Sequence, residues 1–379
     1  MKILINGTTL VMGGALQVCV NVIAEASKDK SNRWFFALSP AVMRELDRSA
    51  ISIAAGRHIV LKDSPSGSQG SRRRLKRYEV ECGVDAVFTV FGPAYVSFEA
   101  PHLMGVADGW VTHSGWEAYK SLGNIYQYLR KPLLALYKGW WYRKATAWVV
   151  ETEVAAVGLS RRWKISPRKI SVVPNNCGEQ YRKYSFREFC VTQKESVHVL
   201  VFSAYYAHKN IEIVPRIAKV LANSGAKKRF FFHLTLNQSS FGWKTVHALA
   251  KRLGVESCII NHGPVAIADG PELYNQCDML LLPSLLETFS ACYPEAMAAG
   301  RPIVTSDLPF AHSICQNAAV YFPPNDSALG ARVLDRLAAD DLACRALIEN
   351  GKKRLALFPN ANEKFRMYDT CIRGMLFDL

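Results

Sequence analysis

HVLVFSAYYAHKNIEIVPRIAKVLANSG (198–225) runs from an apolar segment through a polar loop into a second apolar pattern, and ends on Gly225. HVLVFS is short and rich in β-branched residues, which suits a buried strand. IEIVPRIAKVLANSG spaces its apolar residues as one face of a helix. Strand, loop and helix in that order open a βαβ unit. The same grammar opens the chain, where KILING (2–7) leads through TTLVMGGA into ALQVCVNVIAEASK. A grammar that starts twice predicts an α/β protein of two Rossmann-like doubly wound halves facing a cleft, with the chemistry on loops outside the carboxyl ends of the strands.

The remaining apolar runs extend both halves. WFFALS, SIAAG with HIVL, AVFTVF, PHLMGVA, AWVVETE and KISVVPNN read as strands of the first. FFFHLTL, ESCIINHG, CDMLLLPS, RPIVTSD and AAVYFPP read as strands of the second. Their continuous apolar character points to parallel sheets covered on both faces. SPSGSQGSRRRLKR (64–77) reads as a Ser/Gly loop running into a basic cluster, and Tyr119 to Ala147 as a long helix open to a break at Pro132 or Gly139. RKYSFREFCVTQKES (182–196) reads as a polar linker. The expected organisation is a first domain over 1–190, a second over 191–362, and a terminal helix over 363–379 that packs back on the first.

Composition narrows the class. The 379 residues are 49% hydrophobic and 21% charged, which is globular rather than disordered. No apolar run reaches the roughly 20 residues of a membrane span, and MKILING has no secretion-signal layout. Ten cysteines without a C-x-x-C pair read as reduced cytosolic thiols, so the expected location is cytoplasmic. The net charge of +15 is lopsided: residues 1–190 hold 27 Lys and Arg against 15 Asp and Glu, while residues 191–379 hold 20 against 17. A basic first half suits a polyanion. The segment 120–144 carries Lys120, Arg130, Lys131, Lys138, Arg143 and Lys144 with no acid, beside Trp140 and Trp141. It reads either as a packed helix with a solvated face or as a surface for anionic lipid.

Chemistry concentrates in PSLLETFSACYPEAMAAGRPIVTSD (283–307). MLLLPS is a strand, LLETF a loop, and a helix begins between Ser290 and Tyr293 with Ser290 as a suitable N-cap. Glu287 then stands in the loop and Glu295 near the first helical turn. Free N–H groups at a helix start favour an anion such as phosphate. Acids beside it suit a ligand that also carries hydroxyls, as a nucleotide-sugar does. Two other readings stay open: carboxylates complementing a helix dipole, and a glycosidase acid/base pair.

Glu287-x7-Glu295 within this block resembles the E-x7-E signature of family 4 retaining glycosyltransferases, nucleotide-sugar-dependent enzymes of the GT-B fold. The resemblance runs in order through the Gly13-Gly14 loop, VVPNN (172–176), HKN (208–210), HGPV (262–265), the block itself and DLPFAHSICQNAAVYFPPND (307–326), the last as in bacterial surface-polysaccharide members. The resemblance implies that Glu287 accepts hydrogen bonds from the donor sugar, Glu295 binds the ribose, and Lys209 neutralises the leaving diphosphate. It implies backbone N–H groups of Phe289, Ser290 and Ala291 on phosphate or sugar, Gly13 and Gly14 in a loop that closes over the diphosphate, and Val265 near the base. No D-x-D stands at a strand end and Asp340-Asp341 falls in a helical pattern, so no metal or other cofactor is expected. The implied partners are a nucleotide-sugar, a lipid-linked saccharide acceptor and an anionic membrane surface, with no nucleic acid.

The chain departs from the family pattern in three places. Ser203 stands six positions before Lys209, where many relatives carry a second cation, an Arg. Thr288-Phe289-Ser290 replaces GFG. VADGW puts Ala107 where relatives often have a sugar-contacting His, leaving Asp108, His102 or His113 as candidates for that role or for structure. Rival readings are a nucleotide-sugar 2-epimerase of the same fold and a basic nucleic-acid-binding protein, although no recognition motif for the latter is present.

Overall fold

The computed structural model describes residues 1–377. Its strands fall into two parallel sheets. The first contains β1 (Lys2–Gly7), β2 (Arg33–Leu38), β3 (His58–Val60), β4 (Ala86–Thr89), β5 (His102–Gly105), β6 (Ala147–Val150) and β7 (Ile170–Val172) in the order 3-2-1-4-5-6-7. The second contains β8 (Ser196–Val201), β9 (Arg229–Leu234), β10 (Ile259–Asn261), β11 (Met279–Leu282), β12 (Ile303–Ser306) and β13 (Ala319–Phe322) in the order 10-9-8-11-12-13. Each order reverses direction beside its first strand, β1 or β8, as a doubly wound sheet does. Strand interiors such as Ile3, Leu4 and Ile5, or Leu280 and Leu281, are fully buried. That two-sided burial is why these runs are continuously apolar.

The chain divides into two compact units. One comprises Met1–His113, Leu129–Asn175 and Pro359–Leu379; the other comprises Ser114–Tyr128 and Asn176–Phe358. In the first, the helix Ala361–Phe377 buries Phe365, Tyr368, Ile372 and Met375 in the core built around β1. Phe365 lies 5.4 Å from Trp34 and Tyr368 lies 4.9 Å from Phe88. In the second, the segment read as a linker is packed: Phe189 and Val191 are buried, and Arg187 binds the Asp278 carboxylate at 2.7 Å.

Local readings are corrected at four points. SIAAG forms no strand, and only His58–Val60 pairs with β2. The basic cluster is helical rather than looped, within Gln69–Cys82, whose start Ser68 caps by accepting from Ser71 N–H. The long basic helix breaks before Ile125 rather than at Pro132 or Gly139. Trp116–Lys120 is a separate short helix, and Asn124 starts the next by accepting from the Gln127 N–H at 2.8 Å. Ser290 is not a side-chain cap; the helix Cys292–Ala298 starts after Ala291 without one.

Candidate active site

In the second unit, β8 and β11 are neighbours, and their carboxyl ends carry two loops that tie together. The loop after β8 ends in a short 3-10 turn, Ala207–Lys209. The loop after β11 approaches it, and the Leu285 N–H donates to the His208 carbonyl at 2.7 Å. This backbone tether brings Lys209 to Glu287, and the Lys209 ammonium donates to Glu287 Oε1. Both side chains are largely buried. Burial alone would lower the Lys209 pKa, but the charge and hydrogen bond of Glu287 outweigh it and leave the pKa raised. The pair is therefore a cation and an anion held at the carboxyl end of the sheet, where α/β proteins bind ligands. Asn210 Nδ2 and Ser284 Oγ flank it, buried and without a hydrogen-bond partner among the described residues.

Glu295 lies in the first turn of Cys292–Ala298. Tyr274 Oη donates to its Oε2 at 3.2 Å, and the Tyr181 hydroxyl also bonds the carboxyl. Burial lifts its pKa to about 7, against the lowering effect of the two tyrosines. The Tyr181 hydroxyl fits only because residue 270 is glycine: a Cβ there would stand 2.1 Å from that oxygen. Tyr181, Tyr274 and Gly270 went unrecognised in the sequence because they come from segments with no motif of their own. Phe289 and Val265 pack against the apolar cluster that holds Tyr274, with Phe289 edge-on to Phe358 at 5.7 Å. Ser290 is buried and Ala291 half-buried, their carbonyls accepting from the Tyr293 and Glu295 N–H groups.

The first-unit candidates separate. Gly13 has φ +76°, a conformation that favours glycine, and precedes the helix Gly14–Lys28. A Cβ on Gly14 would meet no protein atom within 4 Å, so packing within the protein does not require glycine there. Asp108 is occupied otherwise than its catalytic reading implies. Oδ1 accepts from the Trp110 N–H at 3.0 Å, capping a short helix, and Oδ2 accepts from Lys138 Nζ at 2.7 Å. His102 is the first residue of β5, only 2% exposed, and bonded to Thr89 Oγ1 at 2.8 Å. Burial drives its pKa down to about 3, which keeps the ring neutral. His113 is half-buried beyond β5, its Nδ1 bonded to Thr112 Oγ1 at 2.8 Å.

The acids near the polar boundary of the second unit also resolve. Asp340 caps the helix Asp341–Leu355 through the Ala343 N–H, and Asp341 accepts from the Val191 and Thr192 N–H groups. Both have structural work.

Residues 198–340 match a family model described as glycosyl transferases group 1. The chain is 23% identical over 168 residues to the O-antigen chain mannosyltransferase RfbU of Salmonella typhimurium, 44% of each chain. Matches to curated relatives span less than half the length of those proteins. Among solved structures, a glycosyltransferase from Rickettsia africae superposes with TM-score 0.73 at 16% identity, covering 100% of this chain and 99% of the other. Anabaena HepE in complex with UDP-glucose superposes with TM-score 0.72 at 16% identity, covering 100% of both chains. Residues 198–340 are thus a group 1 glycosyltransferase domain, and the chain that carries them has the two-sheet GT-B fold of those structures.

Proposed function

We propose that the protein is a retaining glycosyltransferase that moves a hexosyl group, mannosyl transfer being compatible, from a nucleotide-sugar to a lipid-linked saccharide in bacterial surface-polysaccharide synthesis. The Lys209–Glu287 pair at the carboxyl ends of β8 and β11 carries this reading. Glu287 accepts hydrogen bonds from donor-sugar hydroxyls. Glu295, fixed by Tyr181 and Tyr274, accepts from the ribose. Phe289, Ser290 and Ala291 offer backbone N–H groups to the donor, Val265 lies beside the base, and Gly13-Gly14 belongs to a loop that approaches the diphosphate. The bond from the anomeric carbon to the diphosphate oxygen breaks through an oxocarbenium-like state. Lys209 stabilises the charge that grows on the leaving diphosphate. The acceptor hydroxyl forms the new bond on the same face, and its proton passes to a diphosphate oxygen. We assign no protein nucleophile and no metal to the step. The name of the Salmonella relative supports the polysaccharide setting, and the UDP-glucose bound by the Anabaena protein supports a nucleotide-sugar donor.

A screen of nucleotide-sugars by thermal shift, followed by turnover and product-linkage analysis, tests the reading. At least one donor should stabilise the chain and be consumed only with acceptor, yielding a product of retained anomeric configuration. Consumption without acceptor would instead favour the 2-epimerase. The burial of His102 and the double engagement of Asp108 leave that rival short of proton-transfer groups.

A further inference from the structure

We propose that the amino end of the first sheet carries a second binding site, for a soluble sugar phosphate. The inference stands on this cleft alone and does not depend on the glycosyltransferase reading.

A parallel sheet starts all its strands at one end, so their first residues gather there. In the first unit that end collects cations. Lys2 opens β1, Arg33 opens β2 in register with Lys2, and Arg57 immediately precedes β3. With Lys30, from the turn before β2, they line an open cleft of about 650 Å³, a size that takes a small ligand. Backbone bonds fix the frame: the Arg33 N–H donates to the Met1 carbonyl at 2.8 Å, and the Phe36 N–H to the Arg57 carbonyl at 2.9 Å. Asn32, 8% exposed, accepts from Arg373 at 3.3 Å and donates to Asp369 at 3.2 Å, which ties the turn to the terminal helix. The cleft is therefore built from held elements, and little ordering is left for a ligand to impose. From this end β1 runs to Gly7, where the loop to Gly13 begins, a span of about 20 Å. A ligand in the cleft thus sits at the opposite end of the sheet from that loop.

Charge and chemistry select the ligand. Among the described residues, none of the four cations forms an ion pair or a side-chain hydrogen bond. The two acids in the lining are turned to other donors. Asp29 Oδ1 accepts from the Ser31 N–H at 2.9 Å and the Ser31 hydroxyl at 2.7 Å, and its Oδ2 accepts from Asn32 Nδ2 at 3.1 Å and Trp34 Nε1 at 2.9 Å. Asp85 Oδ2 accepts from the Lys2 N–H at 2.7 Å. Four cations gathered in one cleft repel one another, and a multiply charged anion relieves that repulsion. The guanidinium forks of Arg33 and Arg57 match phosphate oxygens. The exposed hydroxyls of Ser27 and Ser31 can accept from a polyol. Met1 is the one apolar side chain in the lining and no aromatic ring is present, so nothing there stacks a nucleobase or enters the acyl region of a bilayer. A sugar carrying phosphate meets both the cations and the hydroxyls.

Calorimetric titration of the full chain with glucose 1,6-bisphosphate, inorganic phosphate and uncharged glucose tests this. The bisphosphate should bind at least about tenfold tighter than inorganic phosphate and raise the melting temperature, while glucose should not bind. Replacing Arg33 and Arg57 together by glutamine should weaken the bisphosphate by about a hundredfold, about tenfold for each charged hydrogen-bonding partner removed. Neither side chain donates a hydrogen bond within the protein, so without ligand this variant should melt no lower than the wild type. Lys2→Gln with Lys30→Gln, at exposed positions, should weaken binding in the same direction and serves as a second test independent of the arginines. No binding by the wild type, or binding that survives both pairs of substitutions, overturns the proposal. Equal affinity for inorganic phosphate overturns it too, leaving an adventitious anion only. Retention on phosphatidylglycerol vesicles without binding of the soluble ester would also overturn it, assigning the cations to a lipid headgroup.

Discussion

Lys209 and Glu287 hold each other's charge in a site that screens neither from the other by much water, so the two residues should fail differently when replaced. Lys209→Ala leaves a buried carboxylate unpaired, a change that costs about 3–5 kcal/mol, and any loss of transfer would be confounded with loss of fold. Glu287→Gln keeps the shape and a hydrogen-bonding oxygen, and is the cleaner probe of the proposed donor contact. Its turnover should fall by about a hundredfold or more, with a loss of melting temperature smaller than that of Lys209→Ala because the glutamine oxygen still accepts from the ammonium; near-normal turnover would remove Glu287 from the mechanism. Glu295 yields a pH prediction. Its folded pKa of about 7 lies above the 4.5 of an ordinary glutamate, so burial favours its protonated form. Relative to Glu295→Gln, the wild type should lose stability as pH rises from 4.5 through 7. Ribose hydroxyls, in contrast, donate best to the ionised form. Donor affinity should therefore rise about tenfold between pH 6 and 8 if only the carboxylate binds, and the rise should vanish in Glu295→Gln. Calorimetric titration at three pH values would decide this, and a flat wild-type profile would discard the ribose assignment. Glu287, Glu295 and Lys209 were legible because each follows a strand pattern at a spacing that can be read along the chain. The two tyrosines and the glycine that position Glu295 come from helices whose contacts only the fold supplies.

At the scale of elements, propensity was overruled where packing was strong. Proline inside a helix costs about 3 kcal/mol or more, yet Ile125–Tyr142 runs through Pro132, held by the buried contacts of Ala135, Gly139 and Tyr142. The strands were legible from apolar runs, whereas SIAAG has the composition of a strand but forms no ladder partner. Asp108 shows how a motif position can be retained for another task. Asp108→Ala should cost about 1–3 kcal/mol through the lost cap and the stranded Lys138, while Asp108→Asn, which keeps the capping oxygen, should cost less. Transfer by the folded fraction should be close to normal in both. A hundredfold loss in Asp108→Asn at unchanged melting temperature would return Asp108 to the catalytic set. The sheet of the second unit carries a feature that no periodicity announced. His198 Nδ1 bonds His233 Nε2 at 2.8 Å, and His233 Nδ1 bonds His262 Nε2 at 2.8 Å, linking β8, β9 and the end of β10. Burial, joined by the neighbouring rings, lowers the His233 pKa to about 4, and the other two are lowered as well. Neutral rings stabilise the fold above pH 6.5, and that contribution should be lost as pH falls towards 4. Melting temperatures across this window should fall less steeply in His233→Gln than in wild type.

The whole chain is closed by its far end. Phe365, Tyr368, Ile372 and Met375 reach the first-unit core from a helix that follows the entire second unit in sequence. This return was expected for the terminal helix over 363–379, although periodicity alone leaves open which sheet an amphipathic helix packs on. What decides the partner is complementarity: Trp34 and Phe88 present aromatic faces to Phe365 and Tyr368, and Lys364, itself buried, donates to Asn175 Oδ1 at 2.6 Å with the Glu151 carboxylate 3.9 Å away. Burying four such side chains contributes about 6–12 kcal/mol at 1.5–3 kcal/mol each, comparable with the whole stability of an ordinary domain. Removal of residues 359–379 should therefore unfold the first unit while sparing the second, whose core clusters contain none of these residues. Limited proteolysis of the truncated chain should leave a resistant fragment covering roughly residues 176–358 and degrade the rest. Tyr368→Ala, at about 3–5 kcal/mol, should lower the first-unit transition in a calorimetric scan without moving the other. A truncated chain that keeps a protease-resistant first unit would show instead that the helix is an addition to a core already complete without it.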